Sequence, residues 1–223
     1  MRWLKLVVHF PSFYSYRIPE YSSQYALALP LIAPSTIKLA IVSTAIRMSG
    51  KVSEGKRIFE YIRDAKVGIK PSKEIAINSV FVKRLKKKKD QSGFQQSFGV
   101  REYIHFSGDI EVYMGLLDEA LEEVKHYAKH IRYLGTSDSL AYVKSVEFVN
   151  EPPQGVIFPV AISEVPPGSH IYPVKDFSSK ATFEQINPYS PKNRGKLYET
   201  RYYPLKLSRR PVEGSNWKIL FIS

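Results

Sequence analysis

The chain contains 223 residues, with 33 Lys and Arg against 21 Asp and Glu, so its formal net charge is +12. Because 43% of the residues are hydrophobic, the chain can bury a core, which excludes overall disorder. It has no cysteine, which excludes disulfides, thiolate metal ligands and cysteine nucleophiles. A charge this far from zero indicates a polyanionic partner, either nucleic acid or an anionic membrane.

The first 64 residues predict a strand, a long loop and two helices. Residues 2–10 alternate apolar side chains on one face, as a strand with one buried side does. Proline and serine mark a loop that runs to Pro34. From Ser35 the apolar positions recur with helical spacing until Gly50, and Ser35 is the expected N-cap. A second, shorter helix is expected over residues 54–64.

The following residues predict two more strands, a helix and a final strand. Residues 75–84 and 100–114 are rich in β-forming side chains. Residues 116–131 carry a clear apolar helical stripe, which Gly135 should end. A last strand starts near Leu140 and stops before Pro152. No stretch of about 18 apolar residues and no signal layout are present, so we expect a cytoplasmic protein without a membrane partner.

This order of elements is strand, helix, strand, strand, helix, strand. It predicts an α+β fold of the ferredoxin-like or RNA-recognition type. We expect this domain to cover residues 1–150. The proline-rich remainder, residues 151–223, should form a small β-containing C-terminal extension.

The net charge is concentrated in blocks. Residues 38–73 and 192–210 each carry a surplus of about six positive charges, and the run from Lys83 to Lys89 carries six more. A charge that serves solubility alone would mix the signs. An acidic block opposes these three, made of Asp109, Glu111, Asp118, Glu119, Glu122 and Glu123. The pattern predicts a polyanion on one side of the molecule.

The lysine run lies between the two expected central strands, where a short turn would suffice. Residues 83–99 therefore predict a projecting basic β-hairpin, called the thumb below. Six cations at the end of a hairpin repel one another unless phosphates neutralise them. The thumb cations are Lys83, Arg84, Lys86, Lys87, Lys88 and Lys89.

Three segments resemble the Cas-five family, the RAMP-type subunit of type I CRISPR surveillance complexes (Cascade). They are Y-R-I-P-E-Y-S-S-Q-Y-A-L-A-L-P-L-I-A-P-S-T-I-K-L-A-I at 16–41, F-G-V-R-E-Y-I-H-F-S-G-D-I-E-V-Y-M at 98–114 and Y-L-G-T-S-D-S-L-A-Y-V at 133–143. They occur in the family's order, with a basic thumb between them. The composition, rich in Lys, Tyr and Ile, is most similar to the type I-A version.

The resemblance implies a crRNA-binding subunit in a ribonucleoprotein for antiviral defence. Its relatives hold the 5′ handle of the guide RNA, cap a backbone of Cas-seven subunits and contact the large subunit. Target DNA within the complex is a further implied partner. The sequence contains no H-E-x-x-H, Walker-type loop, G-x-S-x-G or clustered Asp/His metal set, so no cofactor and no metal are expected.

Several other side chains are candidate RNA ligands beside the thumb cations. Helix N-termini and glycine turns offer amides to phosphates, and splayed bases stack on aromatic or guanidinium planes. The candidates are Ser35, Thr36 and Lys38 at the first helix, Gly135, Thr136 and Ser137 in the glycine turn, and Tyr14, Tyr16, Arg17 and Arg101 for stacking.

Purely structural roles are open for the same residues. Ser35 is also a plausible cap alone, and Gly135 a plausible helix end. Tyr14 and Tyr16 are equally suited to packing under the loop, and Arg101 to pairing with a carboxylate. The segment G-V-R-E-Y-I-H-F at 99–106 lacks the glycines of the RNA-recognition signature, so stacking of two bases on an open sheet is not predicted.

A catalytic role is not predicted. Metal-free RNA cleavage, which one branch of the family performs, needs a base, an acid and a cation around the scissile phosphate. His126 and His130 have metal-ligand spacing, but they flank the buried stripe of their helix and are expected to be solvated. Three hypotheses remain: a structural RNA-binding subunit of a CRISPR complex, which we favour; a repeat-cleaving ribonuclease; and a general ferredoxin-like RNA-binding protein.

Overall fold

A computed structural model describes residues 2–18, 21–22, 24–89, 92–186 and 197–223. Within these ranges the chain forms three β-sheets and four α-helices. One continuous cluster of buried apolar side chains joins them.

The first sheet has the strand order of a ferredoxin-like fold. All of its neighbouring strands are antiparallel. With helices between the first and second and between the third and fourth strands, this is the β-α-β-β-α-β arrangement. The spatial order is β3 (Lys66–Lys70), β6 (Ile110–Leu116), β1 (Arg2–His9) and β7 (Tyr142–Val149).

The predicted first strand is confirmed, because β1 buries Leu4, Leu6 and Val8 and exposes the alternate side chains more. Residues 75–84 and 100–114 do form β structure as expected, but their place in the fold differs in part from the expectation. The core sheet uses β6, which includes residues 110–114 of the second expected strand, and β3, whereas residues 75–84 and 100–106 belong to another sheet. β-forming composition does not reveal which strands pair, since pairing is decided by long-range burial.

Residues between β3 and β6 form a long hairpin inserted into the ferredoxin-like unit. Its strands are β4 (Glu74–Lys87) and β5 (Phe94–Phe106). They are the centre of a second sheet, which β2 (Tyr25–Ala26) extends on one side and β11 (Trp217–Phe221) and β10 (Val212–Glu213) on the other. The predicted thumb is the outer half of this hairpin.

The helices are α1 (Pro34–Ser49), α2 (Val52–Ile62), α3 (Leu121–Ala128) and the single turn α4 (Phe183–Ile186), with 3₁₀ turns at Asp118–Ala120 and Ile162–Glu164. The expected stop of α1 is confirmed: Gly50 has a φ of 68° and its N–H reaches the Ile46 carbonyl. The expected start is wrong. Ala33 is the N-cap residue, because Pro34 lacks an N–H and is preset for the first helical position.

The expected helix over 116–131 is shorter in the structure. It begins as a 3₁₀ turn and ends at Ala128, since the His130 N–H bonds to the Tyr127 carbonyl rather than continuing the α-helical ladder. Gly135 lies in a later turn and does not end the helix.

The C-terminal residues pack against the rest of the chain. Strands β8 (His170–Phe177) and β9 (Tyr198–Leu205) form the third sheet. The buried Tyr203 hydroxyl donates to the Ile32 carbonyl at 3.2 Å, just before α1. Strand β11 pairs with the root of the hairpin, from Trp217 opposite Asn78 to Phe221 opposite Glu74. Among the described residues, no helix is long and apolar enough to cross a membrane.

Candidate RNA-binding surface

The thumb hairpin has two chemically different faces. Strands β4 and β5 pair in unbroken register from Ile75 opposite Phe106 to Lys87 opposite Phe94. Because successive side chains of a strand point to opposite sides, each face collects alternate residues of both strands. The inner face continues the core, and the outer face is turned away from it.

The inner face anchors the hairpin at its root. Ile75, Ile77, Ile104 and Phe106 are all less than 5% exposed. Glu102 is the buried polar residue of this face, and its Oε2 accepts the Ala28 N–H at 2.8 Å. The root is therefore fixed to the core by apolar burial and by one buried acceptor, which sets the direction in which the outer half projects.

The outer face gathers cations from both strands. Arg84 and Lys86 lie on β4, and Arg101 lies opposite Val80 on β5. These three side chains line one cleft of about 200 Å³ together with Gln24 and Ser97. The pairing of the two strands thus brings together three candidate residues from positions 84, 86 and 101.

The thumb cations are not neutralised by described carboxylates. The ion pairs among the described residues include none of Lys83, Arg84, Lys86, Lys87, Lys88 and Lys89. The acidic block behaves differently, because most of its members have partners. Asp109 binds Lys144 at 2.9 Å, and Glu123 binds Arg57. The thumb therefore carries six positive charges within seven positions that no described carboxylate neutralises.

The distal inner face carries exposed apolar side chains. Phe81, Leu85 and Phe94 are about two-thirds exposed, and Phe98 is half exposed. The rings of Phe81 and Phe98 stack with centroids 5.6 Å apart, and the Lys83 ammonium lies 6.0 Å from the Phe98 ring. Beyond the core, this face therefore alternates apolar side chains with Lys83 and Lys87.

The expected anion site at the start of α1 is wrong. Ser35 is 2% and Thr36 8% exposed, so their amides do not face solvent. Lys38 is 1% exposed, and its ammonium donates to Asp176 Oδ1 at 2.7 Å and to the Arg63 carbonyl at 2.8 Å. The Lys38 ammonium is therefore paired inside the protein and is not available to bind a phosphate.

Burial dominates the electrostatics of this ion pair. It lowers the pKa of Lys38, against the attraction of Asp176. Burial likewise raises the pKa of Asp176, against the attraction of Lys38 and the Phe177 N–H. Each charge is thus tolerated in the interior because the other is present.

Tyr14 is also wrong as a stacking residue, because it is fully buried. Its ring packs against Phe10 and Phe106, with centroids 5.3 and 5.6 Å apart. Tyr14 therefore has the alternative, structural role, in which it packs under the loop. Tyr16 is half-buried, and Arg17 is exposed with its guanidinium donating to the Tyr21 carbonyl at 3.3 Å.

The glycine turn packs against the loop after β1. Gly135 has a φ of 89°, and a Cβ at this position would lie 2.8 Å from the Ser15 carbonyl oxygen. The Thr136 N–H donates to that same oxygen at 3.1 Å. This amide is therefore not available to a phosphate, contrary to the expectation. Ser137 is exposed and stays a candidate.

Sequence reasoning missed three residues beside Arg101. Tyr103 and His105 follow Arg101 at alternate positions of β5, on the same outer face. The exposed side chain of Phe13 lies next to both rings, at centroid distances of 6.2 and 6.3 Å. The alternation R-E-Y-I-H was readable in the sequence, whereas nothing local indicates that Phe13 joins it.

His126 in α3 and His130, two residues beyond its end, are exposed, as expected. The rings of His126 and His130 lie 5.4 Å apart, and His130 Nδ1 is 2.9 Å from the His126 carbonyl oxygen. The described part of the chain contains no cluster of three or more His, Asp or Glu that could hold a metal ion. Of the third basic block, Lys192, Arg194 and Lys196 lie outside the described residues.

The structure thus combines a ferredoxin-like sheet with a long basic hairpin inserted between its second and third strands, which is the arrangement expected from the resemblance to RAMP-type proteins. The chain is 50% identical over 232 residues to "CRISPR-associated protein Cas5" of Archaeoglobus fulgidus, covering 100% of this chain and 99% of the relative. The chain therefore belongs to the Cas5 family.

A solved structure agrees with the fold. It is described as the crystal structure of a CRISPR protein from Archaeoglobus fulgidus, and it matches with a TM-score of 0.52 at 13% identity. The match covers 100% of this chain and 92% of that chain. No family model matches the sequence.

Proposed function

We propose that the chain is a non-catalytic RNA-binding subunit of a type I CRISPR surveillance complex, of the I-A type. In this role it holds the 5′ handle of crRNA and caps the Cas-seven backbone, beside the large subunit and the target DNA, in the cytoplasm. Membership of the Cas5 family supports a place in a CRISPR system. The six thumb cations, without described carboxylate partners, carry the RNA-binding part of the proposal.

The number of cations on the thumb predicts how strongly the RNA affinity should depend on salt concentration. Each phosphate neutralised on a single strand contributes about 0.7 to the slope of log K against log salt concentration. Replacing Lys86, Lys87, Lys88 and Lys89 by Ala should therefore flatten the slope by up to about three units. The measurement is a fluorescence-polarisation titration of a repeat-derived handle RNA across salt concentrations.

The matched control removes four exposed lysines elsewhere, so that the net charge changes equally. Suitable positions are Lys66, Lys73, Lys129 and Lys206. If both quadruple variants lower the slope to the same extent, the thumb is not a specific RNA site. Preference for the handle over a scrambled RNA of equal length separates this role from general RNA binding.

Absence of catalysis is tested with the same RNA. Purified protein is incubated with full repeat RNA in chelator, and the products are separated on a denaturing gel. We expect intact RNA after several hours. Site-specific cleavage that persists through repurification would establish the repeat-cleaving ribonuclease instead.

A further inference from the structure

An aromatic cluster lies on the outer face of the hairpin at its root. The Phe13 side chain is 54% exposed, yet its ring is held edge-on to Tyr103 at 6.2 Å and to His105 at 6.3 Å. Tyr103 is half-buried, and His105 is exposed. In the part of the chain that the structure describes, about half of the Phe13 side chain is left exposed to solvent, although the ring is large and apolar.

The backbone explains why Phe13 is fixed there. The N–H and carbonyl of Tyr14 both bond to Ile104 at 2.8 Å, which ties the loop after β1 to strand β5. Neighbouring side chains of an extended segment point to opposite sides. Because Tyr14 is buried in the core, Phe13 is directed outward, beside Tyr103.

The aromatic cluster continues the line of thumb cations. Arg101, Tyr103 and His105 are alternate residues of one strand, so their side chains follow one another at about 6.8 Å. Arg101 also shares the cleft of about 200 Å³ with Arg84 and Lys86. Cations and aromatic rings in one row match the chemistry of a single-stranded nucleic acid, with phosphates on the cations and bases on the rings.

The inner face also carries cations and aromatic rings, but it leads into the core. On this face Lys83 and Lys87 alternate with Phe81 and Leu85 along β4, and toward the root the face becomes buried in the core. A strand of RNA on the inner face would meet buried side chains before it reached the root. The outer face stays accessible to the root, where Arg101 and Tyr103 are half-buried and His105 is exposed.

We propose that single-stranded RNA runs along the outer face of the hairpin, and that Phe13 and Tyr103 stack one unpaired base at its root while Arg101 holds an adjacent phosphate. The inference rests on the proposed function and adds to it a base-stacking site. Stacking tolerates all four bases, so this site contributes affinity and position rather than sequence preference.

The test uses handle RNA that carries a single 2-aminopurine, placed at each position in turn. Phe13→Ala, Tyr103→Ala and the double variant are titrated beside the wild-type protein. Loss of one stacked base should weaken binding by about 5- to 150-fold in the double variant, with an unchanged salt slope. One position of the RNA should show quenching with wild-type protein that disappears in both single variants.

Phe81→Ala and Phe98→Ala form the matched control, since they remove exposed aromatic rings from the opposite face. We expect them to leave the affinity within about twofold of wild type. If they weaken binding and the root variants do not, the RNA lies on the inner face and the proposal is overturned. Phe13→Trp should retain affinity, and circular dichroism melts confirm that each variant is folded.

Failure of this site is distinguishable from failure of RNA binding itself. If the root variants bind like wild type while the thumb lysines still control the salt slope, the stacking site is refuted and the RNA-binding role stands. The same result, combined with loss of a co-purified protein from the root variants, assigns the cluster to a protein partner and also overturns the proposal.

Discussion

Replacing Lys38 by Met tests whether this lysine is structural. The side chain is 1% exposed and bridges Asp176 on β8 to the carbonyl of Arg63, so it ties α1 to the C-terminal strands. Met keeps most of the volume but removes the charge and both hydrogen bonds. Asp176, which is 21% exposed, then becomes a half-buried carboxylate without the lysine that pairs with it.

The expected loss of stability is about 3–5 kcal/mol at pH 7. Protonation of Asp176 limits the penalty, since protonating an ordinary aspartate costs about 4 kcal/mol at pH 7 and about 1.5 kcal/mol at pH 5. The unpaired Arg63 carbonyl adds about 1–3 kcal/mol at either pH. Because the side chains around the site can rearrange, the total loss of stability should be smaller than the sum of these two contributions.

The pH dependence has a definite sign. Burial raises the folded pKa of Asp176 above its unfolded value, and loss of Lys38 raises it further. A carboxyl whose pKa is raised by folding makes its full contribution to stability at pH values below its unfolded pKa. This contribution is lost as the pH rises through the folded pKa. The deficit of Lys38→Met should therefore grow from pH 5 to pH 7.

Urea unfolding at both pH values measures this deficit. The double variant Lys38→Met with Asp176→Asn should recover part of the stability at pH 7, because no buried charge remains. Lys66→Met, an exposed lysine of the same cleft, is the control and should change stability by less than about 0.5 kcal/mol. A pH-independent deficit below about 1 kcal/mol, or a flatter salt slope of RNA binding, would refute the structural role of Lys38.

Three further substitutions test contacts away from the thumb. Gly135→Ala combines a left-handed φ with a Cβ 2.8 Å from the Ser15 carbonyl, and calorimetry should show a loss of about 1–3 kcal/mol; a wild-type melting temperature would show that the turn relaxes freely. Gly68→Ala places a Cβ 2.6 Å from Val156 and 2.7 Å from Phe158, so overpacking should cost about 1–3 kcal/mol, and Phe158→Leu should restore part of it in the double variant. Tyr203→Phe removes the hydroxyl that donates to Ile32 and should cost about 1 kcal/mol in urea unfolding, whereas a gain in stability would contradict that hydrogen bond.

The periodic pattern of the chain determined much of the local structure. The alternation over residues 2–10 identified β1, and the helical spacing with Gly50 at its end identified α1. The lysine run identified the thumb, because concentrated like charge needs no tertiary information to be recognised. Three ordered segments were enough to indicate the Cas5 family, which full-length identity then established.

Only the tertiary structure decided which residues are available to a ligand. The sequence indicated three RNA ligands that are in fact buried by the C-terminal strands and the core. They are Lys38, Ser35 and Tyr14. Phe13 lies 90 residues before Tyr103 in the sequence, yet the two rings meet at the root of the thumb. Burial and such contacts arise from packing between distant segments, and local periodicity carries no information about which distant segment covers a given face.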